Sequence, residues 1–370
     1  MKKIIAFAAF FLLFSSLAFA AGPIKIGLMG PLTGPWASEG QEMKQVLNLL
    51  NEQLNDKGGL LGQRVEVIAE DDGGDPKTSA LAAQRLVTKG VVAVVGTYGS
   101  SITEASQNIF NESKIIQVAN GSTAVRLTEK GLKYFFRTCP RDDEQGRVAA
   151  QTIEKMKVKN VAILHDNTTY AKGLAQETRA LLKNVKIVFF DALTPGERDY
   201  TSILTKLKAA KPDLVFFTGY YPEAGLLLRQ KYQMKWNVPF MGGDAQNNPD
   251  LVKIAGKEAA NGFYFVSSPL PKDLPSKPAK AFLASFSKKY GNPPSSIYSA
   301  LAGDGYRALT AAIAATKSTD PDKLAAYLHK DYKDSNGLTG KISFTAKGDR
   351  AGELYKVYKV NPQGVFILQK

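Results

Sequence analysis

Residues 65–97 read VEVIAEDDGGDPKTSALAAQRLVTKGVVAVVGT. Val65–Asp71 is a short run rich in β-branched and apolar residues, which predicts a strand. Asp75-Pro76 marks a helix start, an N-cap acceptor followed by proline at the first helical position. Lys89-Gly90 supplies the stop, and Val91–Thr97 is a second strand. A strand, a helix and a strand joined by short turns predict a parallel pair, because parallel strands need a crossover of helical length.

The same alternation extends in both directions. Further strand candidates are Ile24–Pro31, Ile115–Ala119, Tyr134–Thr138, Val161–His165, Ile187–Ala192, Leu214–Gly219, Phe240–Gly242 and Gly262–Val266. Ser101-Ile102-Thr103-Glu104 reads as a capping box at another helix start. The alternation falls into two blocks, 24–138 and 142–266, separated by the polar, proline-bearing segment Arg137–Asp143. A second break lies at Ser267–Pro271. Helical patterns over Ala279–Tyr290 and Ser299–Lys317 follow, then a late strand pair, Leu354–Val360 and Val365–Leu368. The expected class is α/β: two similar lobes, each a mostly parallel sheet flanked by helices, joined by several crossovers.

Composition bounds the function. A chain of 370 residues exceeds what one hydrophobic core usually supports. A single cysteine forbids an intrachain disulfide and any cysteine-based metal cluster, and two histidines leave little for a histidine metal site or a catalytic triad. No cofactor and no metal are expected. The N-terminus, MKKIIAFAAFFLLFSSLAFAA, has a basic start, an apolar run and the small-x-small pattern Ala18-Phe19-Ala20. That pattern predicts a signal peptide over 1–20, cleaved near Ala20, and an exported, soluble protein. An exported chain does not meet chromosomal DNA or cytosolic RNA, so its formal charge of +14 predicts no nucleic-acid partner. Lysines such as Lys155, Lys183 and Lys206 are spread over helical segments, as on a solvated face.

Catalytic and cofactor motifs are weak. Gly30–Gly40 lacks both the dinucleotide spacing and the lysine of a nucleoside-triphosphate loop. Asp71–Asp75 resembles a calcium loop only until its twelfth position, where Ala82 replaces the required glutamate. Neither His165 nor His329 has a serine elbow or a metal-binding partner in the sequence. What remains is the set of residues at the carboxyl ends of the strands, where open α/β sheets bind ligands. The first block offers hydroxyls and helix-start amides at Ser100, Ser101, Ser122 and Thr123, which suit a carboxylate. The second offers Tyr170, Tyr220 and Asp244, which suit an ammonium group. An α-amino acid held between two lobes satisfies both.

With those positions in place, the chain resembles the leucine/isoleucine/valine-binding proteins of bacterial ABC importers. The matching stretches include Ile24–Gly34, Asn55–Gly59, Asp71–Lys77, Gly96–Thr103, Ala162–Ala175, Phe217–Gln230 and Phe240–Asp244. The resemblance implies the two-lobed type I periplasmic binding protein fold with three hinge crossovers. It places an N-terminal lobe over 21–139 plus 269–340 and a C-terminal lobe over 140–268 plus 341–370. It also implies a periplasmic monomer that captures a branched-chain or other aliphatic amino acid and passes it to membrane permease subunits, without catalysis. The same fold binding an amide or an aromatic acid, or serving as a ligand sensor, is the alternative. By position, Ser100 would bind the ligand carboxylate, Thr123 both carboxylate and ammonium, and Gly121 the ammonium through its carbonyl. Tyr220 and Asp244 would complete the ammonium site and Tyr170 would pack on the ligand. Two departures stand out. Gly74 and Gly99 occupy positions of a family cysteine pair, leaving Cys139 as a small buried residue near the hinge. Glu39 stands where the family has an aromatic wall, so either Trp36 takes over that wall or Glu39 makes the pocket partly polar.

Overall fold

The computed structural model describes residues 22–369; the signal peptide expected at 1–20 lies outside them. The first sheet is built from β1 (Ile24–Gly30), β2 (Val65–Asp71), β3 (Ala93–Val95), β4 (Ile116–Ala119) and β5 (Phe135–Arg137). The second contains β6 (Asn160–His165), β7 (Lys186–Ala192), β8 (Leu214–Thr218), β9 (Phe240–Gly242) and β10 (Tyr264–Ser267). A hairpin, β11 (Lys333–Gly337) with β12 (Gly340–Ser343), follows; β13 (Lys356–Val360) and β14 (Phe366–Leu368) close the chain.

The first sheet runs β2-β1-β3-β4-β5 and is parallel throughout. The second runs β14-β13-β10-β9-β8-β6-β7, parallel from β7 to β10, with β13 and β14 antiparallel at one edge. Central strands are apolar on both faces because helices cover both: all of β8, Leu-Val-Phe-Phe-Thr, is buried. The opening βαβ unit forms as its punctuation predicts. Asp75 Oδ1 accepts from the amides of Lys77 at 3.0 Å and Thr78 at 2.9 Å, and Gly90 turns the chain out of the helix at φ 70°.

Two local expectations are corrected. Ser101 does not cap its helix: helix Ser100–Glu112 starts one residue earlier, with Gly99 at the cap position and φ 94°. The helix Pro321–Lys330 and the β11–β12 hairpin carry no element in the sequence reading. Asp320 caps that helix in the same manner as Asp75 does its own, so its signal was present.

The helices after β10 return to the first lobe, where helix Ile297–Thr316 packs on helix Ala37–Asn55 and on β3 and β4. The chain stays packed with the first lobe as far as Arg350. Arg137 is the cause. It is fully buried at the end of β5, pairs with Asp349 at 2.6 Å, and donates to the carbonyls of Ser122 and Ala124 and to Thr128 Oγ1. Its own amide donates to Gly348 O, and Arg350 donates to Thr138 O. Residues 340–350 therefore cover the open edge of the first sheet. Removing one partner of a buried pair leaves the other charge uncompensated. Asp349→Ala is expected to lower unfolding free energy by about 3–5 kcal/mol. Glu353→Ala, which loses only the exposed pair with Arg147, should change it by less than about 1 kcal/mol; urea unfolding of both variants checks the contrast.

Candidate functional site

The carboxyl ends of the two sheets face each other, and the turns that leave them line a closed cleft. One rim is held by Tyr221 Oη donating to Pro35 O at 2.7 Å and by Asn248 Nδ2 donating to Glu39 Oε1 at 2.7 Å. The opposite rim is held by the Thr169 amide donating to Ser101 Oγ and by Thr169 Oγ1 donating to Glu104 Oε2, both at 3.0 Å. A surface cavity of about 510 Å³ beside Arg126, Asn167 and Lys172 opens between the lobes and reaches Asp142.

The centre of the cleft is acidic. Asp244, after β9, is buried; Tyr355 Oη donates to its Oδ2 at 3.2 Å, and Tyr170, Tyr298 and Gln145 stand around the same carboxyl. Asp142, first residue of helix Asp142–Lys155, is fully buried nearby. Gln145 joins the two: its Nε2 donates to Asp142 Oδ1 at 3.1 Å and its Oε1 accepts from the Asp244 amide at 2.9 Å. Burial raises both carboxyls above their ordinary range, and the Asp244 charge raises Asp142 further. Among the described residues, Asp142 Oδ2 and Thr123 Oγ1 are sealed from solvent, and the Thr123 hydroxyl beside Asp142 acts to lower that carboxyl against its burial. Arg137 lies close enough to lower Asp142, but the protein donates its guanidinium elsewhere. A cationic ligand group would satisfy this pair directly.

The structure brings most of the expected residues to this cleft, in differing roles. Ser100 Oγ accepts from the Ala124 amide at 3.1 Å, and Thr123 and Tyr170 are buried beside the carboxyls. Gly121 forms an isolated bridge with Tyr98 and its carbonyl accepts from the Gly99 amide at 3.1 Å. Ser122 is turned inward, donating to Thr97 O at 3.0 Å and bonding Thr103 Oγ1 at 2.7 Å, so its hydroxyl is occupied within the first lobe. Ser101 is occupied on the rim by the Thr169 amide.

Of Trp36 and Glu39, Trp36 makes the aromatic contact between the lobes. Its indole stacks on Tyr220 at 4.0 Å and 27°. Asp71 positions the turn that carries it, accepting from the Leu32 and Thr33 amides and from Thr33 Oγ1; this is the work of the acidic loop that resembled a calcium site. Gly74 and Gly99 lie under the indole, and a Cβ at Gly74 would come within 2.7 Å of Trp36 Cε3. Glu39 accepts from Asn248 and Ser296, and its charge acts on the hydroxyls of Tyr98 and Tyr221. Cys139 is buried, and that burial pushes its thiol up to about 12.

Sequence reading missed Asp142, Gln145, Tyr98, Tyr298 and Tyr355. Asp142 sits in the segment Arg137–Asp143 that reads as a polar crossover, Gln145 just beyond it, and Tyr298 and Tyr355 enter the cleft only through the returning C-terminal segments. Tyr98 alone carried a signal, because it follows the third strand.

Two lobes whose strand ends close over a buried, polar and aromatic cleft define a two-lobed solute clamp. The chain belongs to the periplasmic binding protein family, whose profile matches residues 23–364. It is 36% identical to the Leu/Ile/Val-binding protein BraC3 of Rhizobium johnstonii, covering 94% of this chain and 95% of that one. It is 34% identical to the leucine-, isoleucine-, valine-, threonine- and alanine-binding protein of Pseudomonas aeruginosa, covering 94% and 92%. Among solved structures, the branched-chain amino acid transporter substrate-binding protein LivJ of Streptococcus pneumoniae, in complex with isoleucine, matches with a TM-score of 0.84. That match has 29% identity and covers 94% of this chain and all of the other.

Glu39 yields a pH prediction. Burial lifts it to about 8 against the lowering effect of Ser296 and Asn248, with Glu42 and Asp250 adding to the rise. The folded chain holds this proton more tightly than the unfolded chain, so the associated stability is full below the unfolded value of 4.5 and is lost as pH rises through 8. Glu39→Gln keeps the hydrogen bonds without titrating. Denaturant unfolding from pH 5 to 8 should show the variant gaining on the wild type by up to about 1.4 kcal/mol per pH unit; a constant difference would contradict the assignment.

Proposed function

We propose that this protein is the exported amino-acid-binding component of an ABC importer. Asp142 and Asp244, with the surrounding tyrosine hydroxyls, take the ligand ammonium. Ser100, Thr123 and the first-turn amides of helix Ser100–Glu112 take its carboxylate. Tyr170, Tyr220 and Trp36 exclude water from the bound ligand. The observation that carries this reading is the pair of buried carboxyls joined by Gln145, with the Thr123 hydroxyl sealed from solvent beside Asp142. An aromatic acid is less well served, because its anion would meet carboxyls at the centre of the site.

The relatives are solute-binding proteins, and this chain has the same clamp architecture without the motifs of a hydrolase or nucleotide enzyme. In this reading the protein works as a monomer in the periplasm after loss of residues 1–20. Hinge closure selects a ligand whose charges find partners, and the closed form is presented to permease subunits.

The test is ligand-induced stabilisation. A ligand at one hundred times its Kd should raise the unfolding free energy by about 2.7 kcal/mol. A thermal-shift screen of the common amino acids is expected to show upward shifts for a subset; no shift with any of them would refute the reading. Asp244→Ala should weaken binding about a hundredfold or more by leaving the ammonium without its partner. Calorimetry showing unchanged affinity would remove Asp244 from the site.

A further inference from the structure

Beyond the carboxyls, the cleft contains a cluster of rings that recognition of an amino-acid backbone does not require. Tyr98, on the turn between β3 and helix Ser100–Glu112, meets Trp36 edge-on at 5.6 Å, Tyr220 of the other lobe at 5.8 Å and Tyr298 at 4.9 Å. The indole lies so close to the backbone at Gly74 and Gly99 that Cβ atoms there would approach its ring to 2.7 and 3.3 Å. Rings from both lobes thus occupy this side of the cleft at packing contact. Close packing on this side of the cleft favours a short ligand side chain over a long one.

The chemistry of the cluster is as selective as its shape. Tyr98 is 1% exposed. Among the described tyrosines, its hydroxyl alone is sealed from solvent with no hydrogen-bonding partner. Buried tyrosine hydroxyls ordinarily find one, and leaving a polar group dry and unpaired is unfavourable. A phenylalanine would fill the same ring position without that loss.

We propose that Tyr98 Oη reads a hydrogen-bonding group on a short ligand side chain, so that the cleft prefers a small polar amino acid such as threonine or serine to leucine, isoleucine or valine. The inference rests on the amino-acid reading above and narrows it. A site built around a buried hydroxyl discriminates strongly against an analogue that cannot pair with it. Threonine and valine isolate this effect, since they match in shape and differ by a hydroxyl in place of a methyl.

The experiment is isothermal titration of threonine, valine, leucine and alanine into the wild-type protein and Tyr98→Phe. The wild type is expected to bind threonine at least about tenfold more tightly than valine. In Tyr98→Phe that ratio should fall to within about threefold of unity, with alanine affinity changed by less than about threefold. Valine or leucine binding as tightly as threonine in the wild type overturns the proposal while leaving the amino-acid reading intact. An unchanged ratio in Tyr98→Phe removes Tyr98 from the selectivity. Binding of no amino acid defeats both readings, and the wild-type ratio decides the question even where the variant folds poorly.

Discussion

A carboxyl taken out of water must be protonated or find a partner, and the closed cleft of this protein places two of them together. Asp142 comes from the first crossover and Asp244 from the second lobe, and Gln145 ties them to each other. Closing the lobes around them is unfavourable for both charges unless something cationic arrives. That constraint organises the rest of the site. Tyr355 brings a hydroxyl to Asp244 from beyond the third crossover, and Tyr170 and Tyr298 exclude water from it.

The buried Arg137 might have supplied the missing charge, but the fold holds it elsewhere. Asp349, Thr128 and the carbonyls of Ser122 and Ala124 engage all three of its nitrogens. The pairing has two consequences. It fixes the 122–124 turn that presents Thr123 to the cleft, and it draws residues 340–350 onto the first sheet. Structural and functional charges are thereby separated at close range: one ion pair is complete within the protein, and one carboxyl pair is not.

Closure itself relies on modest contacts. The rim hydrogen bonds, from Tyr221 to Pro35 and from Thr169 to Ser101, exchange for water when the lobes part, and such exchanges contribute little net free energy. In a clamp of this kind, differential ligand contacts decide between open and closed states. The Trp36–Tyr220 stack adds an apolar contact across the same gap.

Punctuation made the fold legible from sequence. Short β-rich runs, Asp75-Pro76 and Lys89-Gly90 are local signals, because capping and strand burial depend on residues a few positions apart. Most strands stand within a residue or two of where such signals place them, and the strand-end rule pointed to Ser100, Thr123, Tyr220 and Asp244. Ser101 shows the limit of local reading: its motif is a helix cap, and the lobes use its hydroxyl across the rim instead. What sequence alone determined is the α/β alternation, the two blocks and the chemistry available at the strand ends. Only the tertiary structure decided which polar residues are dry. Arg137 and Asp142 fall in a polar crossover by sequence and Gln145 just after it, and their burial follows only from tertiary contacts, because pairing joins segments more than two hundred residues apart.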